Sequence, residues 1–326
     1  MHPEFGVPAD RAMLVSLMKS GTHLIQELMV ALGYGMYGSS RIEDEIRPKF
    51  DRDTKLRTAR LVLGDEEFMK MRESTGEEFE RAAEDAWGAY GWAWQLRLGL
   101  PLENRYGSDL VNRPLVRQAL ARTVDTPFSQ SPKGVCWVVP ELDIKKIDGQ
   151  FLQEFSKDDV PKIILMYRDP RDMLLSMVNF LCGKTAQGFG NYSEFQIFHS
   201  ILVSLPTLED KLRYALTDPA FPGMGDHERA LWLLHHPRVC KVSFEELVGA
   251  KGGGSDEVQA QTVKRVTDFL GFDGAISETL TEKLFRRDSF SFFKGQIGSW
   301  REAFSDEIKE LAAQRLGPAI RLYGYE

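Results

Sequence analysis

Residues whose types and spacing could do chemistry begin at Lys19-Ser20-Gly21-Thr22-His23, between an apolar run, Ala12–Met18, and an apolar-periodic segment. A strand that ends in such a turn and restarts as a helix builds an anion site. Gly21 admits close approach of the backbone to a ligand, and the N–H groups of the first helical turn point outward. Lys19 adds a full positive charge, while Ser20 and Thr22 add hydroxyl donors. It is not a Walker A loop, because GxxxxGK[ST] is absent and the lysine precedes the glycine. Taken alone, the turn also reads as a lysine-flanked helix cap that holds nothing.

A second strand-to-helix junction lies in ILMYRDPRDMLLSMVNF. Arg168 closes the strand, Asp169 suits a cap, Pro170 suits the first helical position, and Asp172 falls in the capping-box slot. Ser176 follows in the second turn of that helix. An arginine at the carboxyl end of a strand, beside a helix N-terminus, can clamp a phosphate where α/β sheets bind ligands. By itself Arg168 reads equally as a salt-bridge partner. Together, the two junctions predict a ligand with phosphates at two separate places. A third segment, FRRDSFSFFKGQIGSWREAF, carries Lys294, Gly295, Gly298 and Trp300. It reads as a loop that folds over a nucleotide, or as an ordinary turn before a helix starting near Ser305.

The elements that must position these groups are four continuous apolar runs: Ala12–Met18, Val135–Val139, Lys162–Tyr167 and Val239–Phe244. Continuous rather than alternating, they fit strands covered on both faces in a parallel sheet. After the first run, Leu24, Ile25, Leu28, Met29 and Leu32 make a helical stripe that stops at Gly33, a natural C′ residue. A charged, mostly helical insertion spans about 41–122. Its aromatics Trp87, Tyr90, Trp92 and Trp94 read first as core packing and second as a wall for an apolar or aromatic acceptor. Ser255 is placed to cap a helix over 256–270. The expectation is one α/β domain over 1–326: a P-loop-type, three-layer fold with a central parallel sheet flanked by helices, plus a helical lid.

The chain has 326 residues, 43% apolar, 27% charged and 11% aromatic, which excludes collagen, a disordered chain and a coiled coil. A formal net charge of −7 disfavours duplex nucleic acid and anionic membranes as partners. Cys136, Cys182 and Cys240 sit in apolar settings and suggest neither a disulfide framework nor a metal cluster. A soluble, cytoplasmic protein without a membrane anchor is expected. His199, His227, His235 and His236 lack metal-ligand spacing, and His235-His236 before Pro237 reads as a helix end. The carboxylate runs Glu43-Asp44-Glu45 and Asp65-Glu66-Glu67 read as solvated helix faces.

In this order the motifs resemble those of the 3′-phosphoadenosine 5′-phosphosulfate (PAPS)-dependent sulfotransferases, over Leu14 to Phe304. Lys19-Ser20-Gly21-Thr22 resembles the family's 5′-phosphosulfate loop, and Arg168 through Ser176 its 3′-phosphate motif. Phe244-Glu245-Glu246-Leu247 resembles its Tyr-Glu-Asp-Leu strand end, with the aromatic residue near adenine. Phe293-Lys294-Gly295 to Gly298-Ser299-Trp300, within a segment of about 285–304, resembles its closing loop. The resemblance implies PAPS as co-substrate, no metal, and Lys19, Ser20, Gly21, Thr22, His23, Arg168, Ser176, Phe244, Lys294 and Gly295 as the nucleotide site. Departures are Phe293 for the usual arginine, which Arg286 or Arg287 could replace, Leu24 for an adenine-stacking tryptophan, and His23 for a second threonine.

Sulfuryl transfer passes through a loose, in-line transition state much like phosphoryl transfer, so Lys19 is expected to neutralise charge on the leaving phosphate oxygen. The acceptor hydroxyl, or less favourably an amine, needs a base. The segment VCWVVPELDIKK offers Glu141 just past a strand end, read equally as a carboxylate paired with Lys145 or Lys146. Glu43, Glu45 and His23 are the other candidates. Competing readings are a P-loop kinase-like phosphotransferase and a noncatalytic nucleotide-binding module.

Overall fold

The computed structural model describes residues 7–38, 44–102, 111–183, 193–273, 280 and 296–326. Strands β1 (Arg11–Ser16), β2 (Gly35–Gly38), β3 (Val135–Val139), β4 (Lys162–Tyr167) and β5 (Val239–Ser243) lie in one sheet in the order β2-β3-β1-β4-β5. Every pairing is parallel. The central strand β1 sets Leu14 between Val138 and Ile164. Its side chains alternate between two layers, Met13 and Val15 entering one core cluster and Ala12 and Leu14 the other. Burial on both faces is why these runs are apolar without alternation.

The four expected strands are present, with ends within two residues of those read from sequence. β2 is an addition. Its four residues, Gly-Met-Tyr-Gly, are too short and too glycine-rich to stand out as an apolar run. The pairing itself demands the glycine, because a Cβ at Gly38 would fall 1.8 Å from the carbonyl oxygen of Val138.

Helix α1 (Thr22–Ala31) ends as its stripe predicts, with Gly33 at φ 96°. Over the opposite face lie α2 (Arg52–Val62), α3 (Asp65–Glu73), α4 (Gly76–Arg97) and α5 (Arg113–Thr123), which form the helical insertion. Asp65, Glu66 and Glu67 are exposed in the first turn of α3, the solvated face expected of them. The α4 aromatics serve the core. Trp87, Tyr90 and Trp94 are buried, with Trp94 packed edge-on against Phe128 at 4.9 Å and Trp87 against Trp137 at 5.7 Å. Their role as an acceptor wall is thereby corrected. Aromatic rings of this size contribute heavily to the energetics of a core.

Helix α6 (Gly149–Asp158) precedes β4, and α7 (Pro170–Gly183) follows it. A third cluster joins α7 to α8 (Ser193–Ser204), α9 (Leu208–Thr217) and the long C-terminal helix over 306–322. Between them run α10 (Asp226–Arg229), α11 (Leu231–His235), α12 (Phe244–Leu247) and α13 (Asp256–Leu270), the last capped by Ser255 as read from sequence. Then come α14 (Trp300–Ala303) and α15 (Asp306–Leu322), with Ser305 capping α15. His235 ends α11. No helix among the described residues is long and apolar enough to cross a membrane.

Candidate nucleotide and acceptor site

Because β1 and β4 are adjacent and parallel, their carboxyl ends bring the Lys19 turn and Arg168 to the same edge of the sheet. The turn is held from inside. Ser16 Oγ lies 2.7 Å from Thr22 Oγ1 and 3.1 Å from Ser20 Oγ, and Ser20 Oγ donates to the carbonyl of Met166 on β4 at 3.2 Å. The Ser20 amide donates to the carbonyl of Leu17. Ser20 is fully buried and ties the turn to the sheet, rather than offering its hydroxyl outward as its position in the motif suggests. Lys19 adopts φ 63°, a left-handed conformation that a non-glycine residue occupies at a cost of about 1–3 kcal/mol. Gly21, at φ 101°, occupies the N-cap of α1, which has no side-chain cap, so the positive end of the helix dipole is turned toward an anion at this turn. His23 is half-buried in that first turn.

The Lys19 ammonium lies 4.2 Å over the ring of Phe180 on α7. Burial, reinforced by the positive charge of Arg168, lowers its pKa to about 8. Two cations therefore face a shared space. Arg168 is 8% exposed, and its guanidinium lies 4.1 Å over the ring of Phe244. Its Nη2 donates to the carbonyl of Gln296 at 2.7 Å and lies 3.6 Å from Asp172 Oδ2. Its Nε is buried without a hydrogen-bond acceptor. A buried donor of this kind costs about 1–3 kcal/mol unless something accepts from it. The donor set therefore fits an anion. Ser176 is half-buried in the second turn of α7.

Phe244 starts α12 and packs under both halves of the site. A Cβ at Gly21 would meet Phe244 Cδ2 at 2.7 Å, so the turn can lie on the ring only because the residue is glycine. Asp172 departs from its expected capping-box role. Its buried carboxylate accepts from the amides of Gly298 at 2.7 Å and Trp300 at 3.0 Å, fixing the start of α14. Asp169 caps the first turn of α7 and pairs bidentately with Arg171, whose guanidinium lies 4.0 Å over Trp300. The face of Trp300 is thus taken by Arg171 rather than offered to a base. Lys294 and Gly295, with Phe293, Arg286, Arg287 and Glu43, lie outside the described residues. Glu45 is exposed in the short turn 44–46.

A cavity of about 240 Å³ adjoins the Lys19 turn, lined by Met18 and other apolar residues and by the polar side chains of Gln95, Glu141, Glu194, Asp226 and Arg229. Glu141 does not pair with Lys145 or Lys146. Its Oε2 accepts from Arg229 Nε at 2.6 Å, while Arg229 Nη2 donates to Asp226 Oδ1 at 2.6 Å. Burial, with the charge of Glu141, pushes Asp226 up to about 7 against the opposing pull of Arg229 and the Met18 amide. No sequence pattern marked Asp226. The only cue is its place beside Gly225, which at φ 79° turns the chain into α10. Among the described residues no group of three or more histidine, cysteine or carboxylate side chains is arranged for a metal.

No protein-family model matches the chain, and no curated protein matches it by sequence. Solved structures do. A mouse sulfotransferase, SULT7A1, complexed with PAP is 16% identical at a TM-score of 0.49, covering 98% of this chain and 90% of that one. Retinol dehydratase in complex with androsterone and inactive cofactor PAP is 17% identical at a TM-score of 0.42, covering 97% and 82%. Retinol dehydratase with retinol and PAP is 14% identical at a TM-score of 0.42, covering 98% and 83%. The first is named as a member of the family that the motifs resemble.

Proposed function

We propose that the chain is a PAPS-dependent sulfotransferase that moves a sulfuryl group to the hydroxyl of a small-molecule acceptor and releases adenosine 3′,5′-bisphosphate. One observation carries the reading. Lys19 and Arg168, from the ends of adjacent strands, act on one another as like charges, and Arg168 keeps a buried donor without an acceptor. An anion with charge at two places relieves both conditions.

The activated-sulfate nucleotide supplies the transferable group when bound. Lys19, Gly21, Thr22 and His23 would hold its 5′ end at the N-terminus of α1, and Arg168 with Ser176 its 3′-phosphate. Phe244 would border the adenine, and Lys294 and Gly295 are assigned to the closing loop through the motif alone. Lys19 neutralises charge that grows on the departing oxygen, where a preorganised cation in a water-poor site is most effective. The acceptor would enter the cavity lined by Met18, Leu100, Pro101, Pro140 and Phe221. These apolar residues suit the body of an acceptor, and Gln95, Glu141, Glu194, Asp226 and Arg229 suit polar groups on it. All three cysteines are free thiols, which supports a reducing, cytoplasmic setting for one catalytic domain over 1–326.

Calorimetry with adenosine 3′,5′-bisphosphate against ATP, followed by transfer of radiolabelled sulfate to phenols, lipids, sugars and amines, tests the proposal. Binding of the bisphosphate in preference to ATP, with label on an acceptor, is expected. Preference for ATP would point to a phosphotransferase, and nucleotide binding with no labelled product to a noncatalytic module.

A further inference from the structure

Three carboxylates line the acceptor cavity, Glu141, Asp226 and the exposed Glu194 of α8, and the first two are served by one cation. Arg229 reaches Glu141 through Nε and Asp226 through Nη2, both at 2.6 Å. The two acids are not equivalent. The Glu141 side chain is 22% exposed, whereas that of Asp226 is 4% exposed. Asp226 Oδ1 accepts from Arg229, whereas Oδ2 is buried and has no hydrogen bond of normal geometry among the described residues, with the Met18 amide close enough to favour the charged carboxylate. That oxygen lies near Gly223, 4.0 Å from where a Cβ on it would stand, and both residues line the cavity. Met18, one residue before Lys19, lines it too.

We infer that Asp226, rather than Glu141, takes the proton of the acceptor, with Glu141 and Arg229 as the positioning residues that orient it. The inference rests on the sulfuryl-transfer reading above. The acceptor oxygen forms its bond to sulfur as the bond from sulfur to the 5′-phosphate oxygen breaks. The electron pair leaves with that phosphate, and the hydroxyl proton passes to Asp226 Oδ2. A base is most effective when its pKa lies near the working pH. Asp226 meets that condition through burial, with Glu141 following β3 raising it further and Arg229 from α10 and the Met18 amide opposing; the carboxylate in turn adds to the burial that raises the phenol of Tyr323 at the end of α15.

The test compares the parent with Asp226→Asn and Glu141→Gln. In Asp226→Asn, kcat is expected to fall at least 100-fold while affinity for adenosine 3′,5′-bisphosphate stays within twofold, and the acidic limb near pH 7 is expected to disappear from the pH dependence of kcat/KM. Glu141→Gln is expected to keep an acidic limb, displaced downward because one opposing charge is gone. In parent protein carrying carbon-13-labelled aspartate, one carboxyl resonance is expected to titrate near pH 7. An Asp226→Asn variant that binds nucleotide and turns over within threefold of the parent overturns the inference. A parent in which no aspartate carboxyl titrates above about pH 6 overturns it as well, even if the variant fails to fold. A parent that binds no adenosine bisphosphate removes the sulfuryl-transfer reading, and this assignment falls with it. That result is distinct from a working enzyme indifferent to Asp226.

Discussion

The guanidinium of Arg168 lies 4.1 Å over the ring of Phe244, the same ring on which the backbone of Gly21 rests. One aromatic side chain from the end of β5 thus supports the two junctions that would grip opposite ends of a nucleotide. The relationship makes Gly21 a packing position as well as a turn position. A methyl group there meets both the Phe244 ring and a left-handed φ of 101°.

Gly21→Ala is therefore expected to destabilise the fold by about 2–3 kcal/mol, through backbone strain and displacement of the ring. Chemical denaturation measures this. Adenosine bisphosphate affinity is expected to fall at least tenfold in the same variant, because the amides of α1 move with the turn. Unchanged stability and affinity would show that the turn does not depend on contact with Phe244.

Lys19 offers a pH-dependent reading of the same site. With a pKa of about 8, it is half protonated at pH 8, and a bound anion favours its charged form. Nucleotide binding at pH 8 is thus expected to take up as much as about half a proton, and less at pH 6.5, where Lys19 is already charged. Calorimetry in buffers of different ionisation enthalpy reads the uptake directly. Lys19→Met should abolish it. Equal uptake in the variant would assign the proton elsewhere.

Turnover separates the role of Lys19 in binding from its role in the reaction. Lys19→Ala is expected to lower kcat by about 100-fold or more and to weaken adenosine bisphosphate binding far less, since the charge it meets grows as the phosphate departs. Comparable losses in kcat and affinity would reduce Lys19 to a binding residue.

Asp172 couples Arg168 to the segment that begins α14, since its carboxylate serves the Gly298 and Trp300 amides. Asp172→Ala leaves two amides and a buried guanidinium without their partner, for an expected loss of about 3–5 kcal/mol. Asp172→Asn keeps one accepting oxygen and should cost less. Thermal denaturation of the two variants checks the order, and a larger loss in the asparagine variant would contradict the geometry.

The buried acid of the cavity predicts a stability signature independent of activity. The pKa of Asp226 is raised on folding to about 7, so the native state binds more protons than the unfolded chain between the ordinary aspartate value of 3.8 and that pH. Its contribution to stability is therefore greatest at low pH and declines as pH rises through 7. Relative to Asp226→Asn, the parent's melting temperature should fall between pH 5 and pH 8. A gap that stays constant would mean that Asp226 does not change protonation there.

Much of the molecule was legible one segment at a time. The strands β1, β3, β4 and β5, the stop at Gly33, and the caps at Ser255 and Ser305 follow from local preferences that neighbouring residues impose on the backbone. The Lys19 and Arg168 junctions could likewise be read as anion-binding turns, since strand, turn and helix N-terminus are contiguous in the chain. What the tertiary structure alone decided is which distant groups meet. The pairing of β1 with β4 brings Lys19 to Arg168, and the ring of Phe244 seats Gly21. Arg229, 88 residues from Glu141, claims the carboxylate that the chain order had left to Lys145 or Lys146. Asp226 carried no motif because its character comes from burial, and burial is a property of the packed layers around α10 rather than of its neighbours in the chain.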